Sequence, residues 1–318
     1  MKSIPGEVTV FAPASIGNIG PGFDVLGMAL AGVGDLILAS RIPKKTVIIR
    51  EIQGDQGKLP READQNTAGI AALALLEYLK APEGVEFSLR KGIPGTGLGS
   101  SAASAVAAVF AVNLLFGERL TKDQLVPFAA QAESAVSGGY FLDNVGPSMM
   151  GGITWSHPLT QGVIPLGRLP RAVVVVATPD FPVLTKDSRK VLPKEVPMEI
   201  HIANLAQASL MSWAAAKGNL ELFGRSIIDK MAEPLRAPLI TGFSDVKAAA
   251  LEAGALGCSI AGAGASVFAV TGNLALGEKI GLGMERAFRD HGVWTKITVT
   301  RIDRWGVRRV IRRTGKKD

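Results

Sequence analysis

Four stretches in the first third of the chain read as strands, Glu7 to Ala12, Asp35 to Ser40, Lys45 to Glu51 and Val85 to Lys91, the last two alternating apolar and polar positions with the two-residue period of a half-buried strand. Between the third and fourth the period lengthens. Ile70, Leu73, Leu76 and Leu79 recur at helical spacing, which predicts a helix over 66–80 that Pro82 stops. Ala102 to Phe116 is apolar all round, so the helix predicted from Ser100 to Phe116 has to be buried. Thr121 and Gln124 make a capping-box pattern that opens a further helix running to Ser137. Gly151 to Ser156 reads as a strand. Around Ser156 to Pro170 the pattern weakens and proline and glycine recur, which places a boundary there and gives two lobes, 1–160 and 161–318. In the second lobe Ala172 to Ala177 is a continuous apolar run, hence a buried strand. Helices follow at 202–217, 245–253 and 276–290, with strands at 266–271, 295–302 and 307–312. Strands and helices mix without a strict βαβ rhythm, so the expected class is α+β with partly antiparallel sheets.

Composition narrows the partners. The chain has 318 residues, 47% hydrophobic and 20% charged, as in a well-packed protein of two lobes. A single cysteine, Cys258, excludes an internal disulfide and a cysteine metal cluster. The formal charge of +7 lies partly at the end of the chain, in Arg308, Arg309, Arg312, Arg313, Lys316 and Lys317. Neither interleaved aromatics nor a nucleic-acid motif accompanies this run, so it reads as a solvated end, and no nucleic acid partner is expected. A mild positive balance suits a phosphorylated substrate. The N-terminus, with Lys2, Pro5, Gly6 and Glu7, has no apolar leader core. The apolar run from Ala102 to Phe116 is shorter than the ~20 residues a membrane span needs. A cytoplasmic protein without membrane contact is the expectation.

The most informative segment is Gly95-Thr96-Gly97-Leu98-Gly99-Ser100-Ser101-Ala102-Ala103. Its glycines let backbone N–H groups wrap an anion. Ser100 and Ser101 stand at a helix start, where unpaired amides and the positive end of the helix dipole favour phosphate. The Walker A pattern is excluded, because Ser100 and not a lysine follows Gly99. The dinucleotide fingerprint is excluded too: its third glycine is missing, and Asp123 at the right distance falls inside a helix. A bare serine cap after a flexible turn is the plainer alternative, and the specificity of Gly-Leu-Gly-Ser-Ser-Ala-Ala weighs against it.

This segment resembles the second motif of the kinase superfamily named for galactokinase, homoserine kinase, mevalonate kinase and phosphomevalonate kinase. Ala12-Pro-Ala-Ser-Ile-Gly-Asn18-Ile-Gly-Pro-Gly-Phe-Asp24-Val-Leu-Gly27 resembles the first motif in its homoserine kinase form. Gly254 to Ala269, with Ala261-Gly262-Ala-Gly-Ala-Ser266, resembles the third. The resemblance implies a two-lobed small-molecule kinase fold with ATP and an alcohol substrate between the lobes. In its homoserine kinase branch it implies phosphorylation of the L-homoserine hydroxyl to O-phospho-L-homoserine in threonine biosynthesis, and a homodimer. Gly95, Thr96, Gly97, Leu98, Gly99, Ser100 and Ser101 would bind ATP, and Asn66, most simply an N-cap, would reach the adenine. Ser101 and Glu133 would hold Mg²⁺, which favours one or two protein oxygens beside phosphate and water. Glu133 borders the apolar face of its helix, where a carboxylate needs a partner.

The remaining assignments also rest on the resemblance. Asn18, Asp24, Asn144, Thr185, Arg189, Arg236 and Gly262 would contact the substrate, and Asp24, Thr185 and Arg189 are the catalytic candidates. On pattern alone Asn18 and Asp24 are turn formers. Thr185-Lys-Asp-Ser-Arg189 and Glu233-Pro-Leu-Arg236 each bring an arginine, whose planar fork suits a carboxylate. Three departures stand out. Two residues, not three, separate Pro94 from Gly97; Phe141 stands where the family has a histidine; and the third motif carries Ala265-Ser266 in place of Pro-Thr. His157, His201 and His291 show no ligand spacing. The alternatives are a mevalonate, sugar or shikimate kinase of the same superfamily, and a non-catalytic relative that senses a ligand.

Overall fold

The computed structural model describes residues 4–94, 96–137, 139–157, 160 and 162–311. The chain begins with β1 (Glu7–Ile16), β2 (Leu26–Ile42), β3 (Val47–Gln53), α1 (Thr67–Tyr78) and β4 (Gly84–Arg90). Next come α2 (Ser100–Leu115), α3 (Lys122–Ser137), the short α4 (Val145–Met150) and a hairpin of β5 (Ile153–His157) and β6 (Gly162–Gly167). The second half comprises β7 (Val173–Pro179), α5 (Thr185–Lys190), α6 (Met198–Lys217), α7 (Leu220–Arg225) and α8 (Glu233–Arg236). It ends with α9 (Phe243–Glu252), β8 (Gly257–Ile260), β9 (Val267–Thr271), α10 (Leu274–Asp290), β10 (Thr295–Arg301) and β11 (Arg308–Arg309).

Among the described residues the strands form two sheets. The first has the order β11-β1-β2-β4-β3, with β5 on β2 and β6 on β5. Only β3 and β4 run parallel in it. The second, β10-β7-β9-β8, is antiparallel throughout. This is the α+β class with partly antiparallel sheets that the sequence predicts. The expected boundary at 160/161 falls inside the β5–β6 hairpin: β6 stays in the first sheet, so sheet membership changes between Gly167 and Val173.

Burial follows the pattern. α2 is buried along nearly its whole length because α1 and α3 flank it and β1 and β2 lie beneath it. The run in β7 is buried on both faces: Val174 and Val176 join a core with Phe223 and Phe268, while Val175 and Ala177 join one with Ile280 and Phe288. The capping box forms reciprocally, the Gln124 amide donating to Thr121 Oγ1 at 3.4 Å and the Thr121 amide to Gln124 Oε1 at 2.9 Å. Three readings change. The strand expected at 35–40 is the second half of the 17-residue β2, whose first half is disguised by Gly27, Gly32 and Gly34. Thr185 to Arg189, for which the pattern predicts no element, forms α5. The strand expected at 307–312 shortens to Arg308–Arg309, and Arg312 lies outside the described residues.

Candidate active site

The first motif is the turn Gly17 to Val25 between β1 and β2. Asn18 and Asp24 both take left-handed backbone angles, φ 52° and 56°, which Asn and Asp tolerate better than other residues. The Asp24 amide donates to Asn18 Oδ1 at 2.8 Å, and the Asn18 amide donates to Asp143 Oδ2 at 3.0 Å. The turn-forming role of Asn18 is therefore real, and the turn is anchored on a carboxylate 125 residues away.

The glycine positions of the loop are packed too tightly for side chains. A Cβ on Gly97 would lie 2.2 Å from the Ala261 carbonyl, and one on Gly99 would lie 2.3 Å from Ser15 Oγ. Both glycines have positive φ. The three motifs interlock through the backbone. The Ser15 amide donates to Leu98 O (3.1 Å), the Gly262 amide to Gly17 O (3.1 Å), and Ser266 Oγ to Thr96 O (2.6 Å). Ser266 thus supplies a hydroxyl contact despite the departure in the third motif. Gly99 is the N-cap of α2 and has no side chain to cap it, so the first-turn amides beside Ser100 and Ser101 are left for an anion.

Ser101 Oγ donates to Glu133 Oε1 at 2.9 Å. Burial pushes the Glu133 carboxyl above its ordinary value, against the pull of Ser101 and the Lys91 ammonium. Lys91 itself was missed by sequence reasoning. It ion-pairs with Asp35 and donates to Ser100 O (3.0 Å) and Ser104 Oγ (2.6 Å), while Asp35 accepts from the Gly92 amide (3.0 Å). This buried cluster joins the loop entry to the first turn of α2. Its only sequence signal is a charged residue directly ahead of the glycine loop.

In the same cleft, Arg189 Nη2 donates to Asp24 Oδ1 at 2.6 Å, and the guanidinium lies 3.6 Å from the Phe141 ring centroid. Phe141 is therefore a stacking platform for Arg189, which supplies a role where the family histidine is lost. Arg236 is buried, donates to Ser188 O (3.2 Å) and Gly262 O (3.1 Å), and lies 4.9 Å from the Phe23 ring. Burial and then the neighbouring Arg189 charge lower its pKa. Asp143 was not singled out from the sequence either. Burial first, and then the charge of Asp24, raise its carboxyl to about 7.

One cleft of about 540 Å³, within the size range of small-molecule sites, is lined by Asn18, Asp24, Asn66, Thr96, Gly97, Leu98, Gly99, Ser100, Ser101, Glu133, Asn144, Thr185, Arg189, Arg236 and Gly262. Every candidate named from the sequence is thus brought together, except Gly95, which lies outside the described residues. Asn66 caps α1, accepting from the Ala68 amide and donating to Pro60 O. Asn144 Oδ1 accepts from Ser15 Oγ at 3.0 Å. The histidines line no part of this cleft.

An uncapped helix start behind a glycine-rich loop suits a nucleotide's phosphates, and the two arginines that line the same cleft suit a small acidic acceptor. The class so defined is a small-molecule kinase. Residues 66–152 match the N-terminal domain of the GHMP kinases and residues 211–290 their C-terminal domain. A homoserine kinase of Chloroherpeton thalassium is 42% identical over 297 residues, covering 89% of this chain and 92% of that protein. One from Arabidopsis thaliana is 42% identical and covers 96% of this chain and 85% of that protein. The crystal structure of homoserine kinase from Cytophaga hutchinsonii is similar with a TM-score of 0.93 at 38% identity, covering 98% and 99% of the two chains. The chain belongs to the homoserine kinase family of the GHMP kinases. Kinases of this family use ATP. No described helix is long and apolar enough to cross a membrane.

Proposed function

We propose that the enzyme transfers the terminal phosphoryl group of ATP to the side-chain hydroxyl of L-homoserine. The observation that carries this is the convergence of Asp24, Arg189 and Arg236, from three separate segments, in the same cleft that the glycine loop lines. Phosphoryl transfer needs positioning and charge neutralisation more than covalent chemistry. The amides of 96–101 and the dipole of α2 would hold the phosphates, and the Lys91–Asp35 cluster would keep that turn rigid. Ser101 and Glu133, already 2.9 Å apart, suit Mg²⁺, which would spread the phosphate charge when bound. Among the described residues no group of three or more His, Cys, Asp or Glu could hold a metal ion, so phosphate and water would supply the other ligands.

In this cleft Asp24 and Arg189 are paired with each other. A zwitterionic amino acid can replace that pair by two, its ammonium on Asp24 and its carboxylate on the arginine forks. Asn18 and Asn144 would complete the enclosure, with Thr185, or Asp24 if it faces the hydroxyl instead of the ammonium, as the candidate to orient the hydroxyl. A cytoplasmic location and a homodimer belong to the same proposal. Coupled ADP-release assays with L-homoserine, mevalonate and galactose test it. ADP is expected with L-homoserine; release with mevalonate alone would keep the kinase class and discard the substrate.

A further inference from the structure

Arg189 and Arg236 come from different helices, yet the turn Gly17 to Val25 sets one ring against both. The Phe23 centroid lies 5.5 Å from the Arg189 guanidinium carbon and 4.9 Å from that of Arg236, each within cation–π reach. Both cations need such a contact. Arg236 is buried, donates to the carbonyls of Ser188 and Gly262, and enters no ion pair among the described residues. Burial and then the charge of Arg189 lower its pKa, so the two cations feel each other. Arg189 has a carboxylate partner in Asp24, but its Nε is buried without a hydrogen bond among the described residues. Like charges gathered in an empty cleft repel, and flexible side chains that repel swing apart. A further carboxylate would hold them but would occupy the forks that a ligand needs. A ring face attracts both cations and leaves their N–H groups free.

We infer that Phe23 is a positioning residue, its ring holding Arg189 and Arg236 together as one clamp for the acceptor's carboxylate before that acceptor arrives. The inference rests on the reading that the acceptor carries a carboxylate. The backbone ties agree with it. Arg236 Nε is bonded to the carbonyl of Ser188, the neighbour of Arg189 on α5, so both forks depend on one short helix. Phe141 stacks on Arg189, whereas Phe23 is within reach of both arginines and belongs to the first motif. Phe23 also directly precedes Asp24, so ring and carboxylate come from the same turn. When a substrate ammonium takes Asp24, Arg189 loses its ion pair and keeps the ring. The clamp is then already ordered, and binding does not have to order it. Plain packing is the simpler role for a half-buried ring, and it makes different predictions.

The electronics of a ring can be changed with little change of shape. Phe23 is replaced in turn by 4-fluoro-, 3,5-difluoro- and 3,4,5-trifluorophenylalanine, which weaken the negative ring face stepwise. The KM for L-homoserine should rise at each step, to about tenfold for the trifluoro ring, while kcat and the KM for ATP stay within about twofold. Phe23→Leu, which keeps apolar bulk and loses the ring, should raise KM at least as far. In an Arg236→Ala background the trend should shrink, as it does for groups that act together. With 3-amino-1-propanol, which is homoserine without its carboxylate, kcat/KM should stay level across the series. A KM indifferent to fluorination, or an equal trend with both acceptors, would leave Phe23 a packing residue and overturn the inference. The wild-type acceptor assay separates this from the substrate reading. If mevalonate and not L-homoserine releases ADP, the homoserine reading falls and the series is run with mevalonate, which also carries a carboxylate. An acceptor that lacks one, such as galactose, overturns both.

Discussion

Glu133 and Asp143 are both carboxyls that burial holds above their ordinary values, and the consequences differ. An acid whose folded pKa exceeds its unfolded one costs stability as pH rises from the unfolded value through the folded value. Neutral amides at these positions should therefore leave the fold unharmed or firmer at pH 8, so that any loss of rate is functional. Glu133→Gln should lower kcat by about 10²–10³-fold, the scale for one group that stabilises transferring charge, with an unchanged or higher Tm. Near-normal kcat at low Mg²⁺ would make Glu133 a helix-edge residue only. Asp143 should titrate near 7 in the empty enzyme. Below that pH it loses the charge that faces Arg189 and tightens its bond to the Asn18 amide, so the KM for L-homoserine should rise as pH falls from 8 to 6. Asp143→Asn should flatten that dependence at the high-KM level, and a wild type with a pH-independent KM would exclude the carboxyl.

At the scale of elements, what delivers Arg236 is one turn of helix, too short to be stable alone. Its N-terminus is held by Asp229, which accepts from the amides of Met231 (2.7 Å), Ala232 (3.0 Å) and Glu233 (2.9 Å). Asn204 on α6 in turn donates to Asp229 (2.9 Å) and accepts from the Lys230 amide (2.9 Å). Asn204→Ala removes two buried bonds worth about 1 kcal/mol each, so the KM for L-homoserine should rise about tenfold or more. kcat and the KM for ATP should stay within about twofold, because Asn204 does not line the cleft; equal losses in both substrates' KM would mean general loosening. Elements of this kind explain what could be read from the chain. α1, α2 and α3 were legible because period and caps are local signals, and the glycine loop was legible because its order is unusual. β6 and β8 were not, since glycine, proline and short length erase their period. Nor was the Lys91–Asp35 pair, whose partners lie 56 residues apart and meet only after β2 and β4 have paired. Phe141 looked like a loss in one dimension and became a platform only when α5 brought Arg189 over it.

Across the whole molecule, the last described strand returns to the first. After β10 in the second sheet the chain crosses back, and β11 adds to β1 at the edge of the first. The crossing is pinned at Asp303. Its amide donates to Ala29 O (2.9 Å), its carbonyl accepts from the Gly152 amide (2.6 Å), and its buried carboxylate accepts from the amides of Trp305 (2.8 Å) and Gly306 (2.9 Å) and from Arg308 (3.0 Å). Gly306 has a positive φ, and a Cβ there would lie 2.3 Å from Met149 O, so the turn is seated directly on the α4–β5 junction. Asp303→Ala keeps the backbone bonds but leaves two inward amides without their acceptor. The two lost amide bonds together should cost about 2–4 kcal/mol, the Arg308 contact adding little because that guanidinium is more than a third exposed. At roughly 2 °C per kcal/mol for a chain of this size, Tm should fall by about 4–8 °C. Asp303→Asn should recover part of the loss, since its amide oxygen can accept from the same turn. Assayed at 20 °C, where the protein remains folded, kcat and both KM values should match the wild type, because Asp303 lies outside the cleft. An unchanged Tm would show that β11 docks without this anchor, and a lower kcat at 20 °C would show that the closure of the first sheet also sets the geometry of the cleft.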